Sequence, residues 1–248
     1  MKKAVLVTGA SSGIGAATAI EFSKNGYFVY LMARNKDRLE EVALKCRSGA
    51  SLVACDMTDM KALDKRINEM LTAKIHRIET IVNNAGIFAR HSTEEGSDEL
   101  WQTQFNINML APVHLTRAFF PYFKTQGGGQ IVNVSSTLGL RPQGPTSAYS
   151  AVKAAMVNWT ASLAIEGGPF KIRANCVCPG IVDTPIHHFH SLEAEQKNAV
   201  IDKMKSLQPL GRIGQPEDIA KAIYFLGSEQ SSWVTGVSLP VDGGINLL

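Results

Sequence analysis

Near the start of the chain lies the stretch Ala4-Val5-Leu6-Val7-Thr8-Gly9-Ala10-Ser11-Ser12-Gly13-Ile14-Gly15, an apolar run that passes directly into a glycine-rich turn. The run has the length of a buried strand, and the residues from Gly13 onward have the pattern of a helix. Glycines at such a turn let the backbone approach a pyrophosphate, and the helix N-terminus adds unpaired amides. The stretch therefore predicts a dinucleotide-binding βα unit. A turn that binds nothing is the alternative, which this strand-to-helix context disfavours.

Outward from this turn, short apolar runs alternate with longer amphipathic stretches. The predicted strands are Ala4–Thr8, Phe28–Ala33, Ser51–Cys55, Thr80–Asn83, Gln130–Ser135, Lys171–Cys178 and Val237–Pro240. The predicted helices include Gly13–Lys24, Asn35–Cys46, Thr58–Thr72, Asp98–Lys124 and Ser147–Glu166. Continuous apolar runs are typical of strands buried on both faces, and strand-helix alternation predicts parallel strands with right-handed crossovers. We expect an α/β fold: one domain over residues 1–248, with a doubly wound, seven-stranded parallel sheet of Rossmann type and a mobile flap at about 184–210.

Composition excludes several classes of protein. Apolar residues make up 45% of the 248 residues, which suffices for a packed core without disulfides or metals. Lysine and arginine exceed the acidic residues by 25 − 22 = 3, too small an excess to indicate binding to nucleic acid or to an anionic membrane. No run approaches the roughly 18 apolar residues of a membrane span, and the apolar run at the N-terminus is too short for a signal peptide.

Cysteine and histidine usage bears on location and on metals. The cysteines are Cys46, Cys55, Cys176 and Cys178. No two of them form a C-x-x-C pair, so they are interpreted as reduced core residues, and the expected location is the cytoplasm. His187, His188 and His190 lie close together in the expected flap, but their spacing fits no helical pair of ligands. We interpret them as a polar surface and predict no metal site.

The glycine spacing G-x-x-x-G-x-G resembles that of the short-chain dehydrogenase/reductase family, in its short single-domain form. Later motifs agree with the resemblance: Asp56 after the third predicted strand, Asn83-Asn84-Ala85-Gly86 ending the fourth, and Pro179-Gly180 following the sixth. The resemblance implies a nicotinamide cofactor. The implied cofactor-binding residues are Gly9, Ser11, Ser12, Gly13, Ile14, Gly15, Arg34, Asp56, Met57, Asn83, Ala85, Gly86, Tyr149, Lys153, Pro179, Gly180, Val182 and Thr184.

A candidate catalytic group surrounds Tyr149 and Lys153, which are four residues apart and therefore share one face of a helix. Such a pair alone usually marks a solvated helix face. Here Ser136 precedes Tyr149 by 13 residues and Asn108 lies in the preceding predicted helix, and these positions match the family's Asn-Ser-Tyr-Lys tetrad. We choose Ser136 over Ser135 because of that interval, and because alternation along a strand sends the two hydroxyls to opposite sides.

Reduction of a carbonyl needs a hydride at carbon and a proton at oxygen. Free tyrosine has a pKa of about 10, and a neighbouring ammonium favours the phenolate. We therefore expect Lys153, helped by the oxidised nicotinamide, to lower the pKa of Tyr149, which would act as general acid and base. The resemblance further implies that Lys153 binds the nicotinamide ribose, that Ser136 polarises the substrate oxygen and that Asn108 holds a water in a proton relay.

Cofactor choice is predicted from the end of the second strand. A cofactor site specific for NAD has an acid there, whose carboxylate would repel a 2′-phosphate. This chain has Ala33, followed by Arg34, whose guanidinium suits two phosphate oxygens. A solvated arginine at a helix start is the alternative. Ser12 stands where many NADP-preferring relatives carry a second basic residue, so we expect NADP to be preferred and NAD to be possible.

The predicted activity is hydride transfer between NAD(P) and an alcohol/ketone substrate. A non-catalytic NADP-binding regulator of the same fold is the alternative, which the complete tetrad disfavours, and a sugar-nucleotide epimerase or dehydratase would carry a different glycine spacing. The substrate stays open among a 3-oxoacyl thioester, a sugar or polyol, a steroid and a simple ketone. The low charged fraction of 19%, apolar helix faces and the resemblance predict a homo-oligomer, with a tetramer favoured over a dimer.

Overall fold

The structure is a computed structural model that describes residues 1–187 and 193–248. Seven parallel strands form one sheet in the order β3-β2-β1-β4-β5-β6-β7. The strands are β1 (Lys3–Thr8), β2 (Phe28–Ala33), β3 (Ala50–Ala54), β4 (Arg77–Asn83), β5 (Gly129–Val134), β6 (Ile172–Pro179) and β7 (Ser238–Val241). All seven predicted strands are present, and the predicted doubly wound sheet is confirmed.

The crossovers between strands are helical. The helices are α1 (Gly13–Lys24), α2 (Lys36–Ala43), α3 (Met60–Ala73), α4 (Asp98–Phe105), α5 (Ala111–Gln126), α6 (Ser147–Gly167), α7 (Ala194–Ser206) and α8 (Pro216–Leu226). A π-helical turn, Asn106–Leu110, joins α4 to α5. The predicted helix over Asp98–Lys124 is therefore continuous but locally widened, and π-turns of this kind frequently occur at functional sites.

Two hydrophobic clusters cover the two faces of the sheet. On one face, α1, α2 and α8 pack through residues such as Phe22, Leu39 and Ile223, and on the other face α3, α5 and α6 pack through residues such as Leu63 and Phe119. Because both faces are covered, the strands carry continuous apolar runs. The order of the strands reverses between β1 and β4, and ligands of open α/β sheets bind at such a switch point.

The stretch predicted as an irregular flap contains regular structure. Residues 194–206 form α7, and Pro185–His187 form a short 3₁₀ turn. The helix follows from alanine, glutamate, glutamine and lysine, which have high helix propensity. His188 and His190 lie outside the described residues. Within the described ranges, no helix is long and apolar enough to cross a membrane.

The loop between α8 and β7 is held by one arginine. The Arg173 guanidinium, on β6, donates to the backbone oxygens of Leu226, Ser228 and Val234 at 2.7–3.1 Å. It thereby caps the C-terminus of α8. The loop that it fixes presents Trp233 with 99% of its surface exposed.

Candidate active site

The glycine turn is packed too tightly for side chains. Gly9 has φ +65°, a left-handed conformation that favours glycine. A Cβ on Gly15 would lie 2.2 Å from the carbonyl oxygen of Gly9. The turn is tied to β4 through Thr8, whose hydroxyl donates to the oxygen of Val82 at 3.1 Å and accepts from two backbone amides, those of residues 84 and 85, at 2.9 and 3.0 Å.

The turn fits a pyrophosphate. Ser12 is the N-cap of α1, but its side chain makes no capping hydrogen bond, so it leaves the first-turn amides of the helix available. Thr184 lies opposite, because its methyl group is 3.1 Å from where a Cβ on Gly13 would be. A backbone cradle at a helix N-terminus is suited to bind phosphate oxygens. Ser11, Ile14 and Gly180, also predicted to bind the cofactor, are partly exposed around the same edge of the sheet.

Arg34 and Asp56 follow β2 and β3, at the same edge of the sheet as the glycine turn. The Asp56 carboxylate accepts from the Thr58 amide at 2.9 Å and the Thr58 hydroxyl at 2.7 Å, and these hydrogen bonds hold its pKa below the usual range. Arg34 Nη1 lies 3.8 Å from Asp56 Oδ2, and both side chains are well exposed. An ion pair of this kind is weak, so the guanidinium is able to turn toward a phosphate.

Tyr149, Ser136 and Lys153 meet at the carboxyl end of β5. Tyr149 is buried on α6, and Ser136 lies close enough to its hydroxyl to oppose the rise that burial causes in its pKa. Ser135 points elsewhere and donates to the backbone oxygen of Lys153 at 2.8 Å. The Lys153 ammonium donates to the oxygen of Val134 at 2.8 Å and lies 5.6 Å from the centre of the Tyr149 ring. One hydroxyl, one phenol and one ammonium thus share a single cleft.

Asn108 completes the group from the π-helical turn. Its Oδ1 accepts from the Ile87 amide at 3.0 Å and its Nδ2 donates to the Ile87 oxygen at 3.1 Å. A Cβ on Gly86 would lie 2.6 Å from Asn108 Oδ1 and 3.8 Å from Lys153 Nζ. The asparagine and the lysine therefore lie against the same glycine.

The electrostatics of Tyr149 differ from the expectation. Burial raises the pKa of Tyr149 to about 12, opposed by the hydrogen bond from Ser136. Burial lowers the pKa of Lys153 to about 8, partly opposed by the thiols of Cys176 and Cys178. The expectation that Lys153 lowers the pKa of Tyr149 rested on the nearby ammonium and on help from the oxidised nicotinamide. In the folded chain, desolvation acts on both groups and favours the neutral form of each.

Some predicted cofactor-binding residues direct their side chains into the core. The Asn83 amide donates to Thr116 and Asn133, and Met57 belongs to a hydrophobic cluster. Val182 is also buried and forms a bridge with Gly214. Pro179 is buried too, and its carbonyl accepts from a threonine hydroxyl. These residues can contact a cofactor only through their main chain. Ala85 and Gly86 are partly exposed beside the glycine turn.

Three features of the site were not predicted from the sequence. Asn84, rather than Asn83, contacts the turn, since its Nδ2 donates to the oxygen of Thr8 at 2.9 Å. The ring of Phe88 packs edge-to-face on Tyr149 with centroids 4.9 Å apart. Gln104 is buried next to Asn108. The i, i+4 spacing of Gln104 and Asn108 was a usable signal for the last contact.

Comparison with known proteins agrees with this geometry. A family model described as enoyl-(acyl carrier protein) reductase matches residues 9–246. The 3-oxoacyl-[acyl-carrier-protein] reductase FabG of Thermotoga maritima is 33% identical over 98% of this chain and 97% of its own length. Meso-2,3-butanediol dehydrogenase of Serratia marcescens is 34% identical over 98% and 94%. The solved structure of ElxO with NADP bound has a TM-score of 0.91 and 30% identity and covers 100% of both chains.

These comparisons offer no support for a non-catalytic protein of the same fold, because the matched relatives have the names of reductases and dehydrogenases. The matched region contains the glycine turn and all four members of the predicted tetrad. The chain therefore belongs to the short-chain dehydrogenase/reductase family and is an NAD(P)-dependent oxidoreductase.

Proposed function

We propose that the protein interconverts a ketone and an alcohol with NADP(H), and that Tyr149 is the general acid and base. The observation that carries this proposal is the buried Tyr149 on α6, which lies beside Ser136 and has the Lys153 ammonium 5.6 Å from its ring centre. When bound, the nicotinamide supplies or accepts the hydride. Tyr149 moves the proton at the substrate oxygen, and Ser136 donates to that oxygen.

Lys153 and Asn108 support the tyrosine. Lys153 would bind the ribose hydroxyls from its position beside Gly86, and Asn108 would hold a water behind it. The glycine turn, with Ser11, Ser12 and Ile14, would bind the pyrophosphate. Thr184 and the main chain of Pro179, Gly180 and Val182 would hold the nicotinamide end.

A cofactor-coupled absorbance screen tests the activity. The panel contains 3-oxoacyl thioesters, diols, sugars, steroids and simple ketones, each with NADH and NADPH, in both directions. Turnover of at least one carbonyl/alcohol pair supports the proposal. Tight binding of both cofactors with no turnover on any panel member would favour the regulatory alternative.

Cofactor preference is proposed to depend on Arg34. Support comes from its exposed guanidinium at the end of β2, from the uncharged Ala33 before it, and from the NADP bound to the similar ElxO. We expect wild type to bind NADPH more tightly than NADH. Arg34→Ala should reduce that advantage by about 10–150-fold, since a charge-assisted contact contributes roughly 1.5–3 kcal/mol.

Fluorescence titration of both reduced cofactors into wild type and Arg34→Ala measures this preference. Arg38→Ala, one turn further along α2, is the matched control and should leave both affinities unchanged. Equal affinities of wild type for the two cofactors would show the assignment to be wrong, and so would an NADPH advantage that survives Arg34→Ala.

We also propose a homotetramer in the cytoplasm. Two exposed apolar side chains, Trp233 at 99% and Ile165 at 79% exposure, support an assembly that covers them. Closed assemblies with two-fold axes are the usual arrangement of such oligomers. The four cysteines are buried free thiols, which is consistent with a reducing compartment.

Trp233→Ser is expected to shift the assembly toward smaller species, because it removes a large apolar contact without touching the core. Multi-angle light scattering at micromolar concentration should report a tetramer for wild type and a dimer for the variant. Lys171→Ser, which removes an exposed side chain that is charged rather than apolar, is the control. A monomeric wild type would rule out the tetramer, and a tetrameric Trp233→Ser would place the interface elsewhere.

A further inference from the structure

A buried pair of amide side chains lies beside the catalytic tetrad. Gln104 on α4 and Asn108 on the π-helical turn are 1% and 0% exposed. Burial of an amide disfavours folding unless the amide is hydrogen-bonded, whereas an apolar side chain of equal size would be buried without that cost. Gln104 therefore depends on specific polar partners.

Those partners lie on the segment that follows β4. Asn108 bonds both backbone groups of Ile87. In one orientation of the Gln104 amide, its oxygen accepts from Asn108 Nδ2 at 2.7 Å. In the orientation rotated by 180°, its nitrogen donates to the Ile87 oxygen and its oxygen accepts from the Ala89 amide, both at 3.2 Å. Either way, Gln104 fixes the segment directly or through Asn108.

The fixed segment carries an aromatic ring to the active site. Residues 84–90 have no helical or strand hydrogen-bonding pattern of their own, so side-chain partners determine their path. Phe88 lies between the two residues that the amides contact, and its ring meets Tyr149 at an interplanar angle of 83°. Tyr149 also lies beside Ser136, and beside Lys153 on the same helix. The contacts thus run from Gln104 through residues 87–89 to the catalytic ring.

We propose that Gln104 is a positioning residue that holds Phe88 against Tyr149 and thereby orients the phenol for proton transfer. The proposal rests on the role of Tyr149 in the proposed function. The hydrogen bonds of Gln104 reach Asn108 and the segment after β4 rather than the Tyr149 phenol. Its loss should therefore lower kcat and leave cofactor affinity unchanged.

The test uses a reporter on the ring itself. Protein is labelled with 3-fluorotyrosine, and the ¹⁹F NMR resonance of residue 149 is assigned by its absence in Tyr149→Phe. Because the Phe88 ring shifts the resonance of a fluorine held beside it, Gln104→Met and Phe88→Ala should both move that resonance in the same direction. This readout needs no substrate, so it stands even if the screen finds no turnover.

Steady-state kinetics on a confirmed substrate complete the test. Gln104→Met should lower kcat by about tenfold or more, since small misplacements of reacting groups are costly, with the Kd for cofactor within twofold of wild type. Gln104→Glu should restore only part of the activity, because its carboxylate can accept from Asn108 Nδ2 and the Ala89 amide but faces the Ile87 oxygen at 3.2 Å. The double variant Gln104→Met/Phe88→Ala should be no slower than Phe88→Ala alone.

Gln102→Met is the matched control. Gln102 lies on the same helix and donates to Asn106 Oδ1 at 2.8 Å, an i, i+4 amide pair that is exposed. It should move neither the resonance nor kcat. An unmoved Tyr149 resonance in Gln104→Met overturns the proposal, as does an equal effect of Gln102→Met or additivity in the double variant. If Gln104→Met does not fold, an unmoved resonance in Phe88→Ala overturns it.

Discussion

Tyr149→Phe is expected to reduce kcat by about 10²–10⁴-fold, the contribution of general acid-base catalysis. The substitution keeps the ring and its edge-to-face contact with Phe88, and it removes only the hydroxyl that lies beside Ser136. Cofactor affinity should change little. Single-turnover absorbance with a confirmed substrate measures the chemical step, and equilibrium titration measures cofactor binding.

Tyr122→Phe is the control for losing a partly buried tyrosine hydroxyl. That hydroxyl accepts from the Ile78 amide at 3.1 Å, away from the cleft, so its loss should affect stability and not kcat. If Tyr149→Phe turned over near the wild-type rate, another group would have to supply the proton, and the assignment of Tyr149 would be wrong.

Lys153→Met is expected to abolish turnover, weaken cofactor binding and stabilise the apoprotein. Folding buries the ammonium and lowers its pKa from 10.5 to about 8, so the unfolded chain binds the proton more readily. That difference opposes folding by up to about 3 kcal/mol at neutral pH, at 1.36 kcal/mol per pKa unit. Methionine has a similar length and carries no charge, so it removes this cost.

The destabilisation caused by the buried Lys153 ammonium depends on pH in a predictable direction. The cost of the buried ammonium is fully present below pH 8 and disappears as pH rises toward 10.5, where Lys153 is neutral in both states. The variant's advantage in urea unfolding should therefore be largest at pH 6–7 and shrink above pH 8. Lys171→Met, at an exposed lysine, should show no such trend. Unchanged cofactor affinity in Lys153→Met would exclude the ribose-binding role.

The sequence predicted the scaffold well because the scaffold depends on local patterns. The glycine turn determined the bounds of α1, and continuous apolar runs located all seven strands. The helix at residues 194–206 was not predicted, although its alanine, glutamate, glutamine and lysine have high helix propensity. The widened turn at Asn108 has no signature in sequence periodicity.

The residues of the active site could be predicted from the sequence, but the pKa shifts of Tyr149 and Lys153 could not. The members of the tetrad follow from spacing and resemblance. Desolvation of Tyr149 and Lys153 depends on how completely distant segments cover them, which spacing does not encode. Likewise, the amide of Asn83 looks equivalent to that of Asn84 in sequence, and only the path of β4 decides which one faces the glycine turn.

Thr8, at the end of β1, links the glycine turn to the end of β4. The Thr8 hydroxyl has one hydrogen to donate and two lone pairs to accept with, and all three are used on backbone groups of residues 82, 84 and 85. Because this joint is fully buried, the glycine turn cannot move away from the end of β4 without breaking these hydrogen bonds. A ligand that orders the glycine turn would therefore also order the end of β4, which leads to the catalytic residues.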